Sequence, residues 1–347
     1  LGKIILEYLI IMQTTMTNLT ILKVIIESIK SKESILNKTA NLDTIFAFFK
    51  KLEIDKNKFN YAYLNYYLYN NISKESVAKR KTTSRDFEDI LATIFDGTIT
   101  DEERRENANI NNFYLENETI TGFAVSNKRE KTDVKIGNNY FLSVKTLMND
   151  NKEFNFGSLE KTTLFSGFKL EKYLNERKGV NLEKIGLGSK PRLLNLLKEI
   201  ESKKQYNKFR KRFSKLARFI FSDDLVVLIK DNSKVDLYLI KGEKFVKLLI
   251  RKSITPEKLV TLINRWEGNS IRMNREPILK IGKKVHLNFK FLDKHIINKI
   301  LITEEKISKY FIKYINTYPN NAEYKKLIIK ECNTILHDID IDIDKLI

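Results

Sequence analysis

Apolar residues recur at helical spacing through the first part of the chain. Leu19, Leu22, Ile25, Ile26 and Ile29 form one stripe, and "LDTIFAFFKKL" and "FNYAYLNYYLYN" predict two more apolar helices. A polar, basic linker, "NISKESVAKRKTTS", leads to a helix capped by Ser84, with Phe87, Leu91, Ile94 and Phe95 facing inward. From about position 110 the period shortens, and "FYLEN", "TGFAVSNK" and "KTDVKIGNNYFLSVKTL" (131–147) read as strands and turns. A helix is predicted to start at the Gly-Ser of "GSLEKTTLFSGFKLEKYL", another is capped by Ser189, and a basic one covers 203–221. "DLVVLIK", "VDLYLIKG" and "KFVKLLI" read as strands. "TPEKLVTLINRW" reads as a helix with Thr255 as cap and Pro256 at the first position, and "ILKIGKKVHLNFKFL" as a second basic hairpin. Helices close the chain. The pattern predicts an α/β (α+β) protein with a helical region over 1–80, a core over 81–302 and C-terminal helices over 303–347 packed on that core.

Composition adds a partner. Apolar residues make up 42% of the chain, enough to bury a core, yet 63 Lys and Arg face 44 acids, a net charge of +19. Such an excess repels itself unless a polyanion compensates it, so nucleic acid is the first partner expected and an anionic membrane surface the second. Drift towards a Lys-rich composition explains Lys over Arg but not bases over acids. A single cysteine, Cys332, rules out an internal disulfide and a cysteine zinc site, and His286, His295 and His337 share no metal-ligand spacing. A reducing cytoplasm is the expected compartment. The opening "LGKIILEYLIIM" is too short to span a bilayer, carries Lys3 and Glu7, and lacks a small-residue cleavage site, so it reads as a helix docked on the body. The chain holds no P-loop, no GxGxxG after a strand, no HExxH and no GxSxG, which argues against a motor, a dinucleotide enzyme, a zinc protease and a serine hydrolase.

The chemistry concentrates in the 131–147 hairpin. Side chains alternate along a strand, so Ser143 and Lys145 share a face. A three-residue turn at Gly137, Asn138 and Asn139 sets Asp133 opposite Ser143, and a shift of two sets it opposite Lys145. In both registers the three polar groups share a face, and Val134, Ile136, Tyr140, Leu142 and Val144 take the core face. A carboxylate at a strand end can hold a hard divalent cation through oxygen, and a neighbouring ammonium can orient water or steady charge on a phosphate. The plainer reading of the same residues is a surface ion pair between Asp133 and Lys145.

The order of a helical Glu, a strand Asp, "SVK" on the next strand and then a helix resembles the PD-(D/E)xK nuclease superfamily, and within it the type II restriction endonucleases with Ser-Val-Lys in the third motif. The resemblance covers roughly residues 84–170. Two departures stand out: Thr132 precedes Asp133 where the family has Pro, and Ser143 fills the acidic slot. It implies a restriction-endonuclease-like mixed central sheet flanked by helices, in a bacterial cytoplasmic enzyme acting as a homodimer on double-stranded DNA. It also implies that Asp133, Glu160 and the carbonyl of Val144 bind Mg2+, that Lys145 positions the nucleophilic water, and that Glu88 assists. Ser143 demands a carboxylate from the following helix, for which Glu160 is the choice and Glu153, in the loop "NDNKEFNFG", the alternative. For Glu88 a solvated helix-face acid beside Asp86 and Asp89 is the competing reading.

Two further segments point to DNA. "KKQYNKFRKRFSKLAR" (203–218) holds Lys203, Lys204, Lys208, Arg210, Lys211, Arg212, Lys215 and Arg218 and no acid, beside an apolar stripe of Tyr206, Phe209, Phe213 and Leu216. That is the pattern of a helix laid along phosphates, which position a protein without specifying sequence. "NRWEGNSIRMNREP" (264–277) offers Arg265, Arg272, Arg275, Asn269 and Asn274 as a base-reading loop, with Trp266 at a helix end as a packing residue, although in a chain this rich in Asn an ordinary surface loop is the plainer reading. A non-catalytic nucleic-acid-binding protein and a repair or phage-defence nuclease remain the other readings.

Overall fold

The computed structural model describes residues 25–26, 29–30, 34–35, 38–56, 58–71, 83–99, 112–115, 118–121, 132–137, 140–158, 164–165, 168, 189–231, 234–267, 270–288, 298, 300–302 and 305. The chain forms two compact units, one of Leu1–Gly97, Asp231–Asp236 and Val285–Ile347, the other of Thr98–Lys230 and Leu237–Lys284. These units interleave along the chain, unlike the linear division at positions 80 and 302.

In the first unit, helix α1 (Leu42–Ile54) starts on a reciprocal cap: the Asn41 side chain accepts from the N–H groups of Asp43 and Thr44, and the Thr44 hydroxyl accepts from the Asn41 N–H. It buries Leu42, Ile45, Phe48, Phe49 and Leu52. Helix α2 (Phe59–Asn71) is buried on nearly every side, Asn60 and Asn65 included, and Asn65 Nδ2 donates to the Leu52 carbonyl at 3.2 Å. Helix α3 (Thr83–Ile94) buries Phe87, Ile90, Leu91 and Ile94 as expected, with Phe95 just beyond its end. It begins at Thr83, which places Ser84 inside the helix rather than at its cap. Of the first predicted stripe, Ile25, Ile26 and Ile29 are buried and Leu19 and Leu22 lie outside the described residues.

The strands are β1 (Gly97–Ile99), β2 (Asn112–Leu115), β3 (Glu118–Thr121), β4 (Val134–Ile136), β5 (Tyr140–Met148), β6 (Glu153–Ser158), β7 (Asp224–Lys230), β8 (Lys234–Ile240), β9 (Ile263–Glu267), β10 (Ser270–Asn274) and β11 (Lys283–Asn288). Among the described residues they form a six-stranded mixed sheet in the order β1-β4-β5-β7-β8-β11, a three-stranded sheet β6-β10-β9 and the hairpin β2-β3. The fold is therefore a mixed α/β one. Helices α4 (Lys190–Ser202), α5 (Tyr206–Ile220) and α6 (Gly242–Lys252) bury Leu193, Leu196, Leu197, Ile200, Phe209, Phe213, Leu216, Phe245 and Leu249 in one cluster with Leu225, Val227 and Ile229 of β7. Ser189 holds the cap position of α4 without a side-chain hydrogen bond.

Four expected elements come out differently. "KFVKLLI" is part of helix α6, which buries Phe245, Val246, Leu248 and Leu249 at helical spacing. The Thr255 cap and Pro256 hold, but helix α7 (Pro256–Leu259) stops after one turn and "INRWE" becomes β9, taken by pairing with β10. Trp266 thus lies on a strand. The second basic hairpin is instead helix α8 (Arg275–Leu279) followed by β11. Gly157 and Ser158 end β6 rather than start a helix.

Gly242 opens α6 with its N–H on Asp224 Oδ1 at 2.9 Å, and a Cβ there would collide with the backbone carbonyls of Ser222 and Asp223. Helix propensity alone favours alanine by about 1 kcal/mol, but the collision is with backbone that cannot swing away. Gly242→Ala is expected to lower stability by about 1–3 kcal/mol, read as a fall in the urea midpoint. Tyr206 donates its hydroxyl to the Ser253 carbonyl at 3.2 Å, and burial raises its pKa above the ordinary 10.0. The fold favours the neutral phenol, so this contribution is complete below pH 10 and declines as pH rises further. Tyr206→Phe is expected to cost about 1 kcal/mol at neutral pH and to flatten the alkaline loss in urea midpoints measured from neutral pH upwards.

Candidate active site

Gly137, at φ +57°, begins the turn between β4 and β5, a left-handed conformation that costs glycine nothing. The strands pair antiparallel as Val134–Leu142, Lys135–Phe141 and Ile136–Tyr140, which sets Asp133 level with Ser143, the first of the two expected registers. Val134, Ile136, Leu142 and Val144 are buried as expected, and Tyr140 is half-buried.

On its other edge β5 pairs parallel with β7, Ser143 beside Leu225, Lys145 beside Val227 and Leu147 beside Ile229. These three β7 residues belong to the cluster under α4, α5 and α6. The polar face of the hairpin is therefore continuous with a covered core face and is not an open surface. Asp133 has only 9% of its side chain exposed and Lys145 25%, which replaces the solvated surface ion pair with a nearly enclosed one.

A carboxylate taken out of water needs partners, and one oxygen of Asp133 collects three donors. Oδ2 accepts from the Val144 N–H at 2.7 Å, the Ser143 hydroxyl at 3.0 Å and Lys145 Nζ at 3.5 Å. Ser143 thus occupies the acidic slot as a hydrogen-bond donor. The N–H and C=O of one strand residue point to the same edge, so the Val144 carbonyl faces the edge where Asp133 sits. The neighbouring Thr132 hydroxyl donates to Asp223 Oδ2 at 3.2 Å. Asp224 accepts from the Tyr140 hydroxyl at 3.0 Å and from Gly242, tying β5, β7 and α6 together. Asp223 and Asp224 were not anticipated, and their signal is the paired acid that opens the apolar run "DDLVVLI".

The other acids fare differently. Glu160 lies outside the described residues. Glu153 is the first residue of β6, not a loop residue, and is paired with Arg265 Nε at 2.9 Å. Glu88 is buried within the first unit, which removes the solvated-face reading. It follows Phe87 and precedes Leu91 by three residues, so it shares their inward face. Among the described residues no group of three His, Cys, Asp or Glu is placed to hold a metal ion. Asp133 and the Val144 carbonyl are hard oxygen donors of the kind that could hold a divalent cation.

Helix α5 carries its predicted stripe inward, with Tyr206, Phe209, Phe213 and Leu216 buried. Lys208, Lys211, Lys215 and Arg218 are exposed, and Arg210 is half-buried beside Asn207. Arg212 breaks the expectation of a phosphate contact. It is 1% exposed, with its guanidinium 5.2 Å from the Phe168 ring. The spacing 209, 212, 213, 216 is that of one helix face, so the position was readable as interior. Lys203 and Lys204 are exposed but precede the helix, Lys203 pairing with Glu199 at 2.9 Å and Lys204 sitting at φ +59°.

The 264–277 segment is not a loop but the β9-β10 hairpin running into α8. Arg272 sits on β10. Asn274 caps α8 by accepting from the Glu276 N–H at 3.2 Å, and Arg275, 11% exposed, donates to the Asn151 carbonyl at 2.6 Å. Both side chains hold the backbone instead of reaching outward to bases. Asn269 lies outside the described residues. No helix among the described residues is long and apolar enough to cross a membrane. No protein-family model matches the chain, and no curated protein or solved structure matches it significantly.

Proposed function

We propose that this chain is a Mg2+-dependent, sequence-specific endonuclease of double-stranded DNA, of the type II restriction kind, acting as a homodimer on a restriction-endonuclease-like sheet. The observation that carries the reading is the enclosed carboxylate of Asp133 with the Lys145 ammonium 3.5 Å away at the strand end. Asp133, the Val144 carbonyl and Glu160 would hold the ion, which when bound supplies Lewis-acid polarisation of a scissile phosphate. Ser143 and the Val144 N–H fix the carboxylate from one side. Lys145, only partly exposed, holds a positive charge where it can orient a water and steady charge on phosphate oxygens. Two-fold symmetry suits cutting both strands of a palindrome. A second reading has its own observation: three donors on one oxygen would equally serve a purely structural lock in a DNA-binding protein.

The exposed cations of α5 support a DNA substrate. Lys208, Lys211, Lys215 and Arg218 follow the i, i+3, i+7, i+10 pattern of one stripe, about 15 Å long at helical rise. No acid lies on that helix. Such a stripe tracks a phosphate backbone.

Plasmid cutting in Mg2+ and in chelator separates the two readings. Lys145→Ala and Asp133→Asn are each expected to reduce cutting by about 10²-fold or more, and wild-type cutting by both sinks the assignment. Glu160→Gln should abolish cutting while Glu153→Gln leaves most of it, and the reverse would move the acid to Glu153. For DNA binding in chelator, Lys211→Ala with Lys215→Ala should make the slope of log affinity against log salt shallower by about 2. An unchanged slope would take α5 off the phosphates.

A further inference from the structure

The three-stranded sheet has one core face and one outward face. Phe154 of β6, Ile263 of β9 and Ile271 and Met273 of β10 are fully buried. Between them, a single transverse row runs across the sheet: Arg272 pairs with Asn155 on β6 and with Arg265 on β9. Asn155 is exposed, and 40% of the Arg265 side chain is exposed. Glu153 reaches across from β6 to Arg265 Nε.

Three features of this row need a reason. Two arginines are direct cross-strand partners, a like-charge pairing that sheets disfavour and that here has Glu153 on Arg265. The register shifts next to Arg272 on both sides, between Ser270 and Arg272 against β6 and between Arg272 and Met273 against β9. Such bulges re-aim a side chain and recur beside functional sites. The row also mixes an amide and a nearby carboxylate with its cations. A phosphate track would have no use for Glu153, which repels phosphate, whereas base edges present both donors and acceptors.

We propose that the row Asn155–Arg272–Arg265 reads base edges in the major groove of duplex DNA. The proposal rests on the DNA reading above and adds the residues that set sequence preference. Arg recognises guanine O6 and N7 bidentately and Asn recognises adenine N6 and N7. Glu153 holds Arg265 in position and keeps that cation from phosphate. Three adjacent strands put the outer members of the row about 10 Å apart, within a groove about 12 Å wide. The phosphate-tracking task stays with α5, so preference and bulk affinity reside on different elements of one unit.

The test is selection from a random duplex pool by the full chain in chelator, where nothing is cut. The wild type is expected to yield a consensus. Arg272→Lys keeps the charge but loses the bidentate fork, and Asn155→Ala loses the amide. Each should erase preference at one base pair, by roughly 5- to 150-fold, with the salt slope and the thermal melting point unchanged. A wild-type consensus that both variants reproduce overturns the row as reader and leaves the DNA reading intact. Binding with no consensus overturns the row and the sequence specificity of the proposed nuclease, and leaves only the duplex DNA partner. Failure of the wild type to bind any duplex overturns both.

Discussion

The parallel pairing of β5 with β7 is the constraint on which the other arrangements rest. Seven residue pairs, from Leu142–Asp224 to Met148–Lys230, decide which side chains share a face. They align Ser143 and Lys145 with Leu225 and Val227, and so bring a polar row to the margin of a dry cluster. A slip of one residue would exchange the faces and press Lys145 against the opposite core. Asp224 reinforces the alignment by binding both Tyr140 and the first N–H of α6.

A parallel pair cannot be closed by a tight turn and needs a long crossover. Here the crossover from Met148 to Asp224 carries β6, α4 and α5. The same topological demand that makes the sheet mixed therefore ties the cationic helix, and one strand of the small sheet, to the strand that bears Lys145. α5 is held by aromatic packing: Phe209 stacks between Tyr206 and Phe213 and against Phe165, with centroids 5.5–5.9 Å apart. Its apolar side is spent on the core and its charged side is left outward.

What could be read from the letters depended on how much local structure each segment decides alone. The 131–147 hairpin was legible because a period of two, a glycine turn and a burial pattern agree, and β7 was legible because five consecutive apolar residues, Leu225 to Ile229, suit burial on both faces. "KFVKLLI" was not, since a short apolar run fits both periods until its neighbours choose. "INRWE" followed a good helix start, and pairing with the next strand, β10, made it β9. Arg212 differs from its expected role for another reason. Its helical phase put it on the buried face, while its charge suggested the exposed one. For the site itself, the Asp, Ser and Lys were readable, while the enclosure of the pair depends on β7 and could not be. The acid expected from Glu160 stands outside the described residues.

The separation of these contacts along the chain also has a temporal side. Asp133 and Lys145 lie 12 residues apart, within one hairpin, whereas Leu142 and Asp224 are 82 apart. Closing the longer loop costs more entropy and rewards the chain only after it is closed. The hairpin can thus bring acid and amine together early, still wet, and the dry wall beside them arrives with β7. Assembly then proceeds from a solvated ion pair to an enclosed one, so amides of β7 that protect late in refolding would mark the moment the site loses its water.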